Sequence, residues 1–486
     1  MTSPGSIGLA IFGAYLLAVI VLGLIAARYQ RTEEDFWVAG RRFGLVILVI
    51  ANMAAIMHGG SILSGIAFSG EFGGVAALPY VPFTLGIAVL FFVVAKKLRQ
   101  SGGITLPDYM ADRFDSLSLR GWSALVVAVS STLYLVAQIR GMAFILETLL
   151  DIPFLWGLAA GTLIFVGYVA LGGLLAIVWT NVAQFFFMWI GLLVLAPAVY
   201  REVGGWTEVL AAVETVAPGW TSPQGVEFSL TFLLSWYIVW FVAYCTRIEL
   251  VTKMFAARDH RIARLSLPWT IMLVLLFLLY GNLYLGAAAR VMVWDQIATP
   301  DQAFPVMVST LLGPYLAAFA LTGIASAAMS TTDSLLLMSG SAVAHDLIRK
   351  CFHEPRGIVR DEAYYLRISR LAIVAVGAIA FVSAIPDIAL VLSIVSYAVA
   401  IVGAAFFFPL VVGMSSRRVS KEAVFSSSVG GVVVTVVWIG LTLGGVSWAQ
   451  PVHPGIVGLS TAAIALLAVA PFTRPVSRRA IQRYFG

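Results

Sequence analysis

The stretch "AAMSTTDS" (residues 327–334) places four hydroxyls and a carboxylate inside an otherwise apolar run. On a helix advancing about 100° per residue, Ala327, Ser330, Thr331 and Ser334 fall inside one arc of roughly 100°. Hydroxyl oxygens are hard, neutral ligands. Such a stripe either bonds to a neighbouring helix as packing glue or, joined by backbone carbonyls, holds a small monovalent cation. The Ala327 carbonyl can join if it lies near a neighbour whose helix is broken. "MHGGS" (57–61) offers such a neighbour, with two adjacent glycines, a histidine and a serine in the middle of an apolar segment. Irregular backbone at that depth is tolerated only where it lines a cavity or is buried in protein. Alone, Gly59 and Gly60 could equally serve close helix packing. Together, the two stretches favour a cage of oxygens around an alkali ion.

Ionisable groups inside apolar runs are costly to desolvate and point to function. They are Arg140, Arg247, Glu249 and Asp333. Both arginines lie within snorkelling reach of a span end, and Arg247 can also pair with Glu249. If either faces a pocket, its planar fork suits a carboxylate. Asp333 falls at about 240°, off the hydroxyl stripe and beside Ser326. It is expected to hydrogen-bond to its neighbours, with proton acceptance as the alternative. His58 is the one histidine of five that falls within a span. It is either a packed, satisfied imidazole or a solute contact.

The elements that position these groups are membrane helices. The 486-residue chain is 60% hydrophobic and only 11% charged, with a mean hydropathy of +0.97, which excludes a soluble globular domain. Apolar runs of about 20 residues mark spanning helices, not the shorter alternating segments of a barrel. Thirteen spans are expected, at about 6–28, 44–68, 74–98, 121–147, 154–175, 180–200, 228–252, 265–289, 314–344, 366–385, 388–414, 422–444 and 454–473. Of 30 Lys and Arg, all but Arg140, Arg201, Arg247 and Arg290 lie on one alternate set of loops or at its margins. The positive-inside rule then puts the N-terminus outside and the C-terminus in the cytoplasm. An even number of spans would break this alternation. The net charge of +6 is therefore a topology signal and does not imply nucleic acid. The first run lacks a basic start and is long enough to span, so it is expected to be a helix, not a cleaved signal. Cys245 and Cys351 fall in different regions, with neither a disulfide framework nor metal-ligand spacing.

Several motifs carry a resemblance: "FWVAGRRFG" (36–44), "ITLPDYMADRF" (104–114), "YLVAQIRGMAFILET" (134–148), "GGLLAIVWTNVAQ" (172–184), "AAMSTTDSLLLMSGSAVAHDL" (327–347) and "SYAVAIVGAAFFFP" (396–409). By these the chain resembles the solute:sodium symporter family, with its bacterial proline, pantothenate and monocarboxylate-type carriers, from about residue 6 to 472. The resemblance implies an all-α integral membrane protein with a LeuT-like five-plus-five inverted-repeat core. The repeats would fall at about 44–200 and 228–414, with extra helices at about 6–28, 422–444 and 454–473, in a single domain over 1–486. It also implies alternating access with sodium as coupling ion, held by the carbonyls of Ala54, Met57 and Ala327 and the hydroxyls of Ser330 and Thr331. The solute side would involve His58, Gly60, Ser61, Trp240 and Tyr244, then Gln138, one turn beyond Tyr134. Arg247 is added to that set as the carboxylate-binding candidate.

Three departures matter. Asn181 stands where many relatives carry an Asp that serves a second cation site, and it supplies an oxygen without the charge. Arg247 stands where the proline carrier has a glutamine, and His58 replaces a small hydroxyl residue, which argues against a proline pocket. The expected function is sodium-coupled import of a small organic solute (a carboxylate, amino acid or vitamin-like acid) across the plasma (inner) membrane. A proton-coupled carrier of the same fold and a transporter-like sensor acting with a partner protein are the alternatives. An enzyme is not expected, because one membrane histidine and scattered carboxylates make a poor constellation for hydrolysis.

Overall fold

In hydrocarbon every backbone polar group needs an internal partner, which helices supply along their own length. The computed structural model describes residues 4–27, 43–57, 59–77, 80–95, 97–98, 105–223, 225–226, 230–386 and 389–485. Among these it is helical, with one isolated β-bridge between Phe43 and Ala257. The helices that matter to the site are, in order, α1 (Pro4–Ala27), α2 (Leu45–Ile56), α3 (Gly59–Phe72), α4 (Tyr80–Val89), α5 (Leu106–Phe114), α6 (Leu117–Leu150), α7 (Phe154–Leu193) and α8 (Leu230–Cys245). They continue with α9 (Ile248–Ala256), α10 (His260–Phe277), α11 (Pro314–Ser341), α12 (Glu362–Ala384), α13 (Val391–Ser415), α14 (Lys421–Leu443) and α15 (Pro454–Val469).

Among the described residues nine helical stretches are long and apolar enough to cross a membrane, or ten if the bent α2–α3 pair is one span. Shorter apolar helices at Ser6–Leu22, Pro82–Val94 and Phe154–Gly167 stand where the other expected spans lie. The helical backbone runs unbroken through the 40 residues of α7, across the interval expected at 175–180. That is about 60 Å of helix, twice the hydrocarbon thickness, and its apolar stretches are Phe154–Gly167 and Ile177–Val203.

Helix α11 is the hub. Every residue from Ala320 to Ala342 is buried, and 83% of its apolar window is covered by protein, against 22% for α15. It packs on α6, α7, α1 and α12, while α14 and α15 pair with each other and lean on α13. The α7–α11 contact is close because it is glycine on glycine. A Cβ at Gly323 would come within 2.5 Å of the Phe187 carbonyl oxygen.

Two helices break where the site lies. Helix α2 ends at Ile56 and α3 restarts at Gly59, bent by 48°. Paired glycines explain the weakness, since each is about 1 kcal/mol poorer than alanine in a helix. The Ser61 hydroxyl donates to the Ile56 carbonyl at 3.2 Å, satisfying one orphan group at the break. Helix α8 stops at Cys245, and α9 restarts at Ile248 with Arg247 as its N-cap.

The end of α11 runs past the expected 344 as a π-helical stretch, Ala342–His353. Its buried carboxylate, Asp346, is paired. Arg120 of α6 pairs with Asp108 of α5, and with Asp346 at 3.1 Å. Thr105, which caps α5, donates to Asp346 at 3.1 Å.

Candidate functional site

The hydroxyl face of α11 meets the broken end of α2. Ser330 Oγ lies 2.7 Å from the Ala54 carbonyl oxygen and 2.8 Å from that of Ala327. Thr331 Oγ1 lies 3.3 Å from Ala54 O and 3.4 Å from Ala55 O. Ser330 and Thr331 are no more than 1% exposed. Each hydroxyl has one proton to give, so two protons face three carbonyl oxygens and the cluster is rich in lone pairs. Ala54 and Ala55 also belong to the last turn of α2, where the helix dipole is negative. Neutral, hard oxygens at a helix C-terminus fit a small monovalent cation, and four of the five expected ligand residues are brought together. Met57 caps α2, its N–H donating to Met53 O at 2.8 Å, and no hydrogen bond joins it to α11 among the described residues.

Arg247 reaches the same place from the second break. One guanidinium nitrogen, Nη2, donates to Ala55 O and to the Tyr134 hydroxyl, both at 2.9 Å. Nε lies 3.6 Å from Glu249 Oε2, and the guanidinium stands 4.9 Å from the Tyr244 ring centre. Tyr244 packs on Phe83 and Trp240, and Trp240 on Trp236. Arg247, Glu249, Tyr134, Ser130 and Ser131 line a cavity of about 20 Å³, enough for a water molecule. A larger cavity of about 120 Å³ opens near Trp236, walled by Phe68, Phe72, Phe232, Tyr397 and His453.

Tyr244, Trp240 and Arg247 thus form one wall, and Ser61 sits across the α2–α3 break. Gly60 lies in the first turn of α3, and His58 lies outside the described residues. Gln138 is buried on α6 one turn from Tyr134. Tyr134, Ala55, Ser130 and Ser131 were not expected at the site. A spacing of 130, 134, 138 on α6 marks a single polar helix face, and that signal could have found Ser130 and Tyr134 beside Gln138. Arg140 faces elsewhere, donating to Ala384 O at 3.0 Å and Pro386 O at 2.9 Å, at the end of α12. Asp333 departs from expectation. It is fully buried, and neither carboxylate oxygen has a hydrogen-bond partner among the described residues.

A broken helix facing a hydroxyl-lined one, deep in an all-α bundle, is the arrangement on which membrane carriers build their binding sites. The sequence pattern of the sodium:solute symporter family matches residues 36–431. An osmoregulated proline transporter of Bacillus subtilis is 25% identical, over 98% of this chain and 96% of its own. A sodium/proline symporter of Escherichia coli is 26% identical, over 88% of this chain and 87% of its own. In fold, the chain is similar to a sodium-coupled sialic acid symporter in its substrate-bound outward-open state. The TM-score is 0.79 at 17% identity, over 97% of this chain and 98% of the other.

The chain belongs to the sodium:solute symporter family. It is a sodium-coupled symporter of small solutes, a multi-pass plasma-membrane protein and not an enzyme.

Proposed function

We propose that the protein imports a small carboxylate-bearing solute together with sodium by alternating access. Sodium is held by the carbonyls of Ala54, Met57 and Ala327 and the hydroxyls of Ser330 and Thr331. The solute lies against His58, Gly60, Ser61, Gln138, Trp240, Tyr244 and Arg247. The observation that carries this reading is the meeting of Ser330 with Ala54, 276 residues apart, at 2.7 Å. Buried Arg247 in an aromatic wall supports the carboxylate, since a guanidinium binds one through two parallel bonds. Proline and sialic acid, named for the relatives, are both carboxylic acids. The expected repeats at about 44–200 and 228–414 belong to this reading, as does the topology with N-terminus outside and C-terminus in the cytoplasm.

A thermal-shift screen of the purified protein against small organic acids and amino acids tests it, run in sodium and repeated in choline. A ligand that binds the folded state stabilises it by mass action. An acid that stabilises only in sodium supports both halves of the proposal. Stabilisation that is the same in choline rejects sodium coupling at this site.

A further inference from the structure

The carbonyl of Ala55 has two suitors. Arg247 Nη2 donates to it at 2.9 Å, and Thr331 Oγ1 lies 3.4 Å away. Its neighbour Ala54 faces Ser330 at 2.7 Å. The negative end of α2 is therefore shared between a fixed cation, Arg247, and the place where sodium is proposed to sit. A guanidinium there does two things. It offsets the dipole that draws a second cation, and in a site screened from water its charge repels that cation. Glu249 moderates the repulsion from 3.6 Å.

We propose that Arg247 is the coupling residue: a solute carboxylate that binds its guanidinium relieves the brake it exerts on the sodium site. This rests on the reading above. The carboxylate offers two charged acceptors, which the planar fork takes through two parallel bonds, where Ala55 offers one neutral one. When the guanidinium turns to the carboxylate, Ala55 O is released and the local positive charge is neutralised. Sodium binding then strengthens. By linkage, sodium strengthens solute binding by the same factor. Tyr134 holds the guanidinium in place through its hydroxyl, and the small cavity beside it is lined by both residues.

The test measures sodium binding to the purified full-length protein by thermal shift, first with sodium alone. Arg247→Gln is expected to tighten sodium binding about fivefold or more, the lower end of typical coupling factors. Glu249→Gln is expected to weaken it. Were Arg247 only a strut for the broken helix, Arg247→Gln would weaken sodium binding, and the sign alone overturns the proposal. Propionate is then added as the probe, with propionamide as the uncharged control. Wild-type protein should bind sodium more tightly with propionate and not with propionamide, and Arg247→Gln should respond to neither. An equal response of wild type and Arg247→Gln to propionate also overturns it. If Arg247→Gln does not fold, Arg247→Lys keeps the charge without the fork. It should bind sodium as wild type does and lose most of the propionate response, and a full response rejects the role. Ser330→Ala separates the two readings, because unchanged sodium affinity there removes the site itself, whatever Arg247 does.

Discussion

Ser330→Ala removes an oxygen that stands 2.7 and 2.8 Å from two carbonyl oxygens. In the proposed site that oxygen is a direct ligand of the cation. Polar contacts to a charged group contribute about 1.5–3 kcal/mol, and each ~1.4 kcal/mol is a factor of ten. Sodium affinity is thus expected to fall by about 10- to 100-fold. Thr331 stands farther off, at 3.3 and 3.4 Å, so Thr331→Ala belongs at the lower end of that range. Thermal shift reads the change directly. Sodium at 100 times its dissociation constant stabilises the wild type by about 2.7 kcal/mol, and a 30-fold loss of affinity leaves about 0.9 kcal/mol at the same concentration. The same titration in proteoliposomes should show a matching rise in the sodium needed for half-maximal uptake. Both variants also lose a buried hydrogen bond, so a control is needed. Ser339 is fully buried on the same helix and donates to Leu335 O at 2.9 Å. Ser339→Ala should cost about 1 kcal/mol of stability with its sodium response intact. Equal sodium responses in Ser330→Ala and Ser339→Ala would refute the assignment.

Three further substitutions probe the framework. Arg140→Ala strips two charged hydrogen bonds from the end of α12. It should lower stability by about 3 kcal/mol and leave the KM for solute unchanged, whereas a raised KM would place Arg140 at the solute site. Arg120→Ala leaves Asp108 and Asp346 without the cation between them. Breaking one side of a buried ion network costs about 3–5 kcal/mol, so a loss under 1 kcal/mol in chemical denaturation would contradict the pairing. Gly323→Val forces a side chain against the Phe187 carbonyl. Overpacking of this kind costs about 1–3 kcal/mol, read as a lower Tm and poorer extraction of folded protein.

The hydroxyl stripe and the break that faces it were legible because both are local. The stripe follows from helical period, and the break from two adjacent glycines. Most apolar spans were legible for the same reason, since an apolar run needs no tertiary context, although α7 stays helical through the interval expected at 175–180. What stayed hidden depends on which distant groups meet. Sequence left Arg140 open between a snorkelling side chain and a solute contact, and its bonds to Ala384 and Pro386 turn it away from the solute wall. The charged stretch after residue 344 read as a loop, yet Arg120 pairs with Asp346, Thr105 donates a hydrogen bond to it, and the helix continues. Ala55 carries no side-chain signal at all. Its part at the site comes from a carbonyl, and the positions of Arg247 and Thr331 reveal it.

The placement of strong and weak links says where such a carrier can move. At one end of α11, charged pairs tie α5, α6 and the π-helical extension together, and separating them would leave buried charge exposed to an apolar interior. These elements are expected to move as one body. At the proposed ion site and the break beside it the links are hydrogen bonds between neutral groups, each worth about 1 kcal/mol and easily exchanged for ion contacts. The exception is Arg247, which joins the break between α8 and α9 to the last turn of α2. A change in the ligands of that one guanidinium therefore alters the connection between the two broken helices. Cross-linking α5 to the π-helical extension should then leave transport intact, whereas cross-linking the two breaks should stop it.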